Sequence, residues 1–184
     1  STLPVEDGIL VSGDAGELRR AKERGMAALG YIGDTERRLE DRCTEEQQAE
    51  TRVEGQQADM YAEGLEEVDF RFLTRVWQRC HHLPWTILTT ERCVVKEFSM
   101  DYLDALFELY AGEGMTDYIA PLYPYEQERE YQQSYIECMY GFYGYGMWIV
   151  CDRKTGQLIG RAGVECREEL NGEPELGYVI GVPY

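Results

Sequence analysis

The sequence predicts an α/β protein in two parts, a partial Rossmannoid segment of parallel strand–helix–strand type and then a mixed, mainly antiparallel sheet with helices. Residues 8–32 run apolar, helical and apolar again, which is the order of a parallel unit. From Met147 onward, short apolar runs are separated by turn signals at Gly156 and at Asn171–Gly172, which favours an antiparallel meander. An apolar content of 43% is enough for a core.

Composition limits the partners that the chain could have. Its 184 residues carry a formal net charge of −17, whereas phosphate contacts need clustered lysine and arginine. We therefore expect no nucleic acid and no membrane as partners, and no apolar run is long enough to span a bilayer. An anionic ligand would need a local positive group or a site lined by N–H groups.

The six cysteines predict free thiols in a cytoplasmic protein. None form a C-x-x-C pair, and there is no signal peptide to indicate an oxidising compartment. The triplet Cys80-His81-His82 has the chemistry of metal ligands. Adjacent residues on a helix point in different directions, however, so they seldom share one ion, and no metal site is expected.

The N-terminal segment, residues 1–84, begins with the parallel unit. Its helix, Ala15–Arg24, stops at Gly25, a residue type that readily takes the left-handed conformation ending many helices. Asp14 precedes this helix and is expected to cap it. A charged insertion at 34–57 follows, which the sequence leaves open as a solvated helix or a disordered loop.

The remaining elements of this segment are a third strand at Ala58–Glu63 and a helix at Leu65–Cys80. A boundary is expected near Pro84, and the second domain covers residues 85–184. Thr86–Glu91, at its start, is a linker or an early strand.

Residues 8–80 resemble the C-terminal half of the haloacid-dehalogenase-like (HAD) fold. The matching stretch is Ser12-Gly-Asp-Ala-Gly-Glu-Leu-Arg-Arg-Ala-Lys-Glu-Arg-Gly-Met26. The resemblance implies magnesium binding by Asp14 and, as an alternative function, a magnesium-dependent phosphohydrolase. Active members also need an Asp-x-Asp nucleophile motif, which this sequence lacks. We therefore expect a non-catalytic remnant or an incomplete piece, with Asp14 as a plain helix cap.

The second domain predicts two helices packed on a sheet. Arg92–Phe98 is a strand, and Ser99 is expected to cap a helix at Met100–Ala111. Glu126–Tyr143 is a second helix whose dense tyrosine stripe we expect to lie mainly in the core. Three strands of a meander follow, with Arg92–Phe98 able to add a fourth, at Met147–Asp152, Gln157–Cys166 and the stretch around Leu176–Ile180.

The last stretch, Gly172–Tyr184, is almost entirely apolar or small. This pattern predicts a strand covered on both faces. Gly177 and Gly181 weaken a strand, so each is expected to allow a close approach to the backbone.

The order of these segments resembles the GNAT family of N-acetyltransferases, over residues 91–184 and the first half of the family's domain. The resemblance implies transfer of an acetyl group from acetyl-CoA, the co-substrate, to a primary amine or a peptide N-terminus. The family's Gln/Arg-x-x-Gly-x-Gly/Ala turn holds the pyrophosphate of acetyl-CoA. That turn is absent here, so we expect an incomplete piece that binds acetyl-CoA weakly or not at all.

Two glutamates are the candidate catalytic residues. Glu165 and Glu175 lie on strands expected to pair around Asn171–Gly172, and either could face an acceptor or simply the solvent. The resemblance places an acid at Glu175 near the amine in many relatives.

The resemblance also implies the binding residues. The backbone of Tyr178, Val179 and Ile180 would line the acetyl and pantetheine arm, with the N–H of Val179 or Ile180 near the thioester carbonyl. The loop that carries Met115, Tyr118 and Tyr123 would wall the acceptor site, or its aromatic residues would simply pack down.

A non-catalytic interaction module remains a further alternative. An open sheet edge and the aromatic stretch Tyr131–Tyr145 would favour partner binding or a homo-oligomer.

Overall fold

A computed structural model describes residues 7–31, 57–66, 68–166 and 173–184. The chain divides into two compact units, residues 1–83 and 84–184. One contains a three-stranded parallel sheet and the other a five-stranded antiparallel sheet, which confirms the mixed α/β class. The insertion at 34–56 and the Asn171–Gly172 turn lie outside the described residues. No described helix has the length and apolar character that crossing a membrane requires.

The first unit is a parallel sheet with helices on both faces. Its elements are β1 (Ile9–Ser12), α1 (Ala15–Glu23), β2 (Ala27–Tyr31), β3 (Met60–Ala62) and α2 (Phe70–Cys80). Central strand β2 is buried because its alternate side chains meet different helices: Ala28 packs with Leu18 of α1, while Leu29 packs with Val76 of α2. The expected strand–helix–strand unit and third strand are confirmed.

Asp14 caps the first helix, as expected. Its carboxylate accepts a hydrogen bond from the backbone N–H of Glu17 at 2.8 Å. The Glu17 carboxylate in turn accepts from the hydroxyl of Ser12 at 2.7 Å. The acid that follows β1 therefore satisfies a helix N-terminus.

Asp59 ties the two helices of this unit to its sheet. The side chain is 4% exposed, forms an ion pair with Lys22 and accepts from the backbone N–H of Ala28 at 2.7 Å. Burial, and then Asp59, raise the pKa of the Cys80 thiol at the end of α2. One buried carboxylate thus joins α1, β2 and α2.

We predict that Asp59→Ala lowers the unfolding free energy of the first unit by about 3 kcal/mol, because it leaves a buried N–H group and a lysine without their partner. Chemical denaturation followed by Trp77 fluorescence measures the loss. Glu23→Ala, which removes an exposed carboxylate from α1, is the matched control and should shift stability by less than about 0.5 kcal/mol. Equal effects of the two changes would contradict the assignment.

The second unit carries its helices on one antiparallel sheet, in the order β4-β5-β6-β7-β8. Its strands are β4 (Thr86–Thr89), β5 (Cys93–Lys96), β6 (Met147–Asp152), β7 (Leu158–Cys166) and β8 (Pro174–Ile180). Its helical segments are a 3₁₀ turn (Met100–Tyr102), α3 (Leu103–Tyr110), α4 (Tyr125–Tyr135) and a π-helix (Ile136–Tyr143). The meander and the added strand β5 are confirmed, and Thr86–Glu91 proves to contain a strand.

Two helix predictions need correction. Ser99 makes no side-chain cap, because the segment after it begins as a 3₁₀ turn. The single helix expected over Glu126–Tyr143 changes from α to π geometry after Tyr135. Within the π segment Tyr140 is 1% exposed, donates to the carbonyl of Met147 and accepts from the N–H of Phe98 at 3.3 Å. These bonds tie the segment to the sheet.

The main core of this unit lies between the helices and one face of the sheet. Leu103 and Leu106 of α3 pack there with Tyr140 and Ile149. A smaller cluster on the opposite face is centred on Val150. The tyrosine stripe therefore contributes to the core, as expected, although only part of it is buried.

Strand β8 is not covered on both faces, so that expectation is wrong. Leu176 and Tyr178 are each 74% exposed, and in the described part of the chain no helix packs over them. Their alternation with small residues put apolar groups on both faces, and the sequence pattern could not show that one face stays open. Gly181 does allow a close approach, since a Cβ there would lie 2.8 Å from Cδ1 of Leu109.

Candidate functional site

Glu165 of β7 and Glu175 of β8 lie directly opposite each other. The Gly181 N–H donates to the Ile159 carbonyl at 2.8 Å, so this pair and every second pair along the ladder are hydrogen-bonded pairs. Paired residues place their side chains on the same face. Both glutamates are half-buried.

Two tyrosines of α4 lie within electrostatic range of β7. Tyr131 and Tyr135 are four residues apart, so they lie on one side of the helix, with ring centroids 6.0 Å apart. Tyr123 meets Tyr131 edge to face at 5.7 Å. With Arg161, a half-buried residue in the middle of β7, these rings and the two glutamates form what we call the tyrosine–glutamate site, comprising Tyr123, Tyr131, Tyr135, Arg161, Glu165 and Glu175.

Charged residues of β7 influence the pKa values of the tyrosines on α4. Burial raises the pKa of Tyr131; Arg161 lowers it and Glu165 raises it. Burial also raises the pKa of Tyr135, which accepts a hydrogen bond from the Met147 N–H at 2.7 Å. Both phenols are therefore protonated at neutral pH and act as polar aromatic walls.

We predict that the second unit loses stability above about pH 10, the ordinary pKa of tyrosine. The folded-state pKa values of Tyr131, Tyr135 and Tyr140 are all raised, mainly by burial. Their contribution is fully present below the unfolded pKa and is lost as pH rises toward the folded values.

Alkaline denaturation measured alongside phenolate absorbance tests this linkage. The variant Tyr135→Phe should flatten the decline, whereas Tyr118→Phe, at a residue 97% exposed, should leave it unchanged. Phenolate formation by all three tyrosines near pH 10 in the folded protein would contradict it.

A buried polar pair fixes the loop that carries Tyr123. Glu128 and Gln132 are 2% and 1% exposed. The Glu128 carboxylate accepts from the Tyr123 N–H at 3.0 Å and from Nε2 of Gln132 at 2.7 Å. This bonding holds Tyr123 against α4.

The acceptor-loop residues occupy three different environments. Met115 is 6% exposed and packs inside the unit, whereas Tyr118 is 97% exposed. Tyr123 alone of these three contacts the tyrosine–glutamate site. Sequence reasoning assigned the tyrosines of α4 to the core and passed over Arg161. The available signals were the i, i+4 spacing of Tyr131 and Tyr135 and a lone cation in the mainly apolar strand β7.

Backbone N–H groups of β8 divide between two directions. The pairing register directs the N–H of Val179 toward β7, where it meets Arg161. It directs the N–H groups of Tyr178 and Ile180 away from β7, toward the edge of the sheet in the described part of the chain. This edge offers donors suited to amide and thioester carbonyls.

The arrangement has the parts that amine chemistry requires. A carboxylate can hold an ammonium group and take its proton, and tyrosine faces can contact a cation. An N–H group at the edge of β8 can stabilise a developing oxyanion. These parts lie on two neighbouring strands and one helix.

Comparisons with known proteins place this unit in a family. The model of the acetyltransferase (GNAT) domain matches residues 92–184, half of the chain. No curated protein matches the chain. The comparisons give no support to the HAD-like resemblance of residues 8–80.

Three solved structures show a weak likeness. A Bordetella pertussis protein assigned to the GnaT acetyltransferase family is 19% identical, with 54% of this chain and 62% of that chain covered and a TM-score of 0.45. An acetyltransferase from Agrobacterium tumefaciens str. C58 is 22% identical, with 53% and 55% covered and a TM-score of 0.41. A GNAT-family acetyltransferase from Bacillus anthracis is 17% identical, with 53% and 54% covered and a TM-score of 0.41.

The chain thus spans about half to three fifths of the length of these solved chains. The assignment rests on the domain match, whose range includes β5 and every later element of the second unit. Through residues 92–184, the chain belongs to the GNAT acetyltransferase family.

Proposed function

We propose that the tyrosine–glutamate site transfers an acetyl group from acetyl-CoA to a primary amine or a peptide N-terminus. The observation that carries the proposal is the direct pairing of Glu165 with Glu175 beside the open edge of β8. This pairing puts one possible proton acceptor on β8 and another opposite it on β7, while the edge N–H groups of β8 can bind a thioester. The family match supports the same chemistry.

The proposed reaction needs an oxyanion donor and a proton acceptor from the protein. The neutral amine attacks the thioester carbonyl carbon, so a C–N bond forms and the C–S bond breaks. The N–H of Ile180 donates to the developing oxyanion. Glu175 lies five residues from Ile180 on β8, about 16 Å along an extended strand, so it takes the proton that the amine loses through a chain of waters. The departing thiolate is protonated by solvent.

Acetyl-CoA fits the edge of β8 as a co-substrate. Its extended pantetheine arm carries amide groups that can accept from the N–H of Tyr178, as an added strand would. Val179 directs its side chain to the helix-facing side, between arm and acceptor. The exposed apolar side chains of β8 lie along the opposite face of the same edge.

The second glutamate and the loop shape the acceptor end. Glu165 lies near both Tyr131 and Tyr135, and we assign it to holding the ammonium form before deprotonation. Tyr123 forms the wall of the pocket and Met115 supports the loop from within. Tyr118, which projects into solvent, would touch only an acceptor as large as a peptide.

The described cysteines support a cytoplasmic site of action. Cys80, Cys93, Cys138 and Cys151 are free thiols. Burial raises the pKa of Cys151, which makes its thiol unreactive at neutral pH.

A direct assay tests the proposed activity. The chain is incubated with acetyl-CoA and a panel of small amines, amino acids and peptides, and acetylated products are identified by mass spectrometry. We expect at least one amine to be acetylated faster than in a control with protein omitted. Because the sequence lacks the family's pyrophosphate turn, we expect weak binding of acetyl-CoA and the assay uses it at millimolar concentration. The absence of every product at that concentration would overturn the proposal.

One observation favours a second candidate, an interaction module that forms a homo-oligomer. Leu176 and Tyr178 expose 74% of their surface on one face of an edge strand, an arrangement typical of pairing surfaces. Light scattering over a range of concentrations distinguishes the two functions. A monomer at all concentrations would remove this candidate.

A further inference from the structure

Arg161 is the positively charged residue of the tyrosine–glutamate site. Arg161 lies opposite Ile149 on β6 and Val179 on β8, so it is on an interior strand, next to edge strand β8. Its Nε is buried and has no hydrogen-bond partner among the residues that the structure describes. Buried polar atoms of this kind are rare, since each costs free energy when it is left unpaired.

Arg161 also lies in a region short of positive charge. It is the single lysine or arginine in strands β6, β7 and β8, in a chain of net charge −17. Stability does not explain such a residue, because an apolar side chain of similar volume would fill the position without a desolvation cost. A buried donor atom such as Nε, with no partner in the described part of the chain, is suited to a ligand's anion.

The two ends of the site carry opposite charges. Arg161 and Glu165 are four residues apart on β7, about 13 Å between Cα atoms for an extended strand. Both charges influence the pKa of Tyr131 and of Tyr135, so both lie within electrostatic range of these two rings. Arg161 is at the end of the site near Val179 and Ile180, where the thioester is proposed to bind.

We propose that Arg161 binds the carboxylate of the acceptor, and that the preferred acceptor is a free amino acid. This inference rests on the proposed acetyl transfer and narrows its substrate class. The carboxylate accepts from Nε–H and a terminal N–H of the guanidinium. The amine is separated from the carboxylate by one carbon atom, so it lies toward the thioester at the N–H of Ile180, which is next to Val179, the residue opposite Arg161. The aromatic walls supplied by Tyr131 and Tyr135 contact the side chain of the amino acid.

Matched acceptor pairs test the role of Arg161. Each amino acid of a panel is compared with its own carboxamide, which keeps the amine and the side chain and removes the negative charge. The full chain should acetylate the acid with a kcat/KM about 10- to 100-fold above that of the amide, mainly through KM. Arg161→Met should abolish this preference and Arg161→Lys should retain part of it. Arg153→Met, an exposed site in the β6–β7 turn, should keep it entirely.

A binding measurement keeps the inference testable apart from catalysis. The Nε–Hε signal of Arg161 in an NMR spectrum should move when the amino acid is added and stay unchanged with the carboxamide. If no acceptor is acetylated but this signal responds to the acid alone, the proposed function fails and the carboxylate site stands.

Three results would overturn the inference. One is that the unaltered chain acetylates the carboxamide, or a peptide with a blocked C-terminus, with the same kcat/KM as the free amino acid. Another is a preference that survives in Arg161→Met. The third is a fall in the melting temperature of Arg161→Met of more than a few degrees, which would show that the arginine serves the fold. We expect that temperature to stay constant or rise.

Discussion

Replacing Glu175 with glutamine is expected to lower kcat for acetyl transfer by about 100- to 10,000-fold while acetyl-CoA binding stays intact. Glutamine keeps the size and the hydrogen-bonding of the side chain but cannot take a proton. Glu175 is half-buried on β8, directly across from Glu165. Because glutamine has nearly the same shape as glutamate, we expect the fold to accept the change. Steady-state kinetics and calorimetric titration with acetyl-CoA measure the two quantities separately.

Two further variants show whether the effect belongs to the proton acceptor. Glu165→Gln should act mainly on KM, since we assign Glu165 to holding the ammonium group. Glu173→Gln, at an exposed residue just before β8, should leave both constants unchanged. The assignment fails if Glu175→Gln keeps wild-type kcat, or if Glu173→Gln loses as much activity.

Replacing Gly163 with alanine is expected to destabilise the second unit by about 3 kcal/mol. A Cβ at Gly163 would overlap the carbonyl oxygen of Gly146 and lie 2.6 Å from Cα of Met147. Both obstacles are backbone, so neither can rotate away, and strands β6 and β7 must separate. Because Gly163 lies between Arg161 and Glu165 on β7, this movement should also reduce activity.

Gly177→Ala is the matched control for this prediction. Gly177 lies directly opposite Gly163, but a Cβ there would be 3.6 Å from Sδ of Met147, an ordinary contact. We expect Gly177→Ala to change stability by less than about 1 kcal/mol. Chemical denaturation followed by tryptophan fluorescence compares the two variants. Equal stability of Gly163→Ala and the wild type would show that β6 and β7 are not packed as described.

Strand pairing in the second unit could be predicted because its signals lie in short, local stretches of the sequence. Period-two runs and turn residues between Met147 and Tyr184 predicted the meander. The expectation that β7 and β8 pair also predicted that Glu165 lies close to Glu175, which the strand register confirms. The cap at Asp14 followed from the same kind of short-range chemistry.

Features that depend on tertiary packing could not be predicted in the same way. An apolar strand such as β8 contains no signal for which face a neighbour covers, so the exposure of Leu176 and Tyr178 was missed. The hydrogen bonds that tie the π segment to the sheet join Tyr140 to the backbone of Phe98 and Met147, and no local pattern in the sequence shows them. Arg161 became notable only through its buried Nε, which has no partner among the residues described.

The first unit could be predicted only in part from its sequence. Its parallel sheet and its cap at Asp14 follow from the sequence pattern. The carboxylate of Asp59, which joins three elements, had no signal in the sequence because its partners are distant along the chain.

The most direct test of the central claim is an NMR titration of the full chain with acetyl-CoA. Because edge N–H groups are proposed to bind the pantetheine arm and the thioester, the amide signals of Tyr178 and Ile180 should move more than that of Val179. Signals of Glu165 and Glu175 should move with them. Shifts confined to the first unit, or no shifts at millimolar acetyl-CoA, would contradict acetyl transfer at the tyrosine–glutamate site.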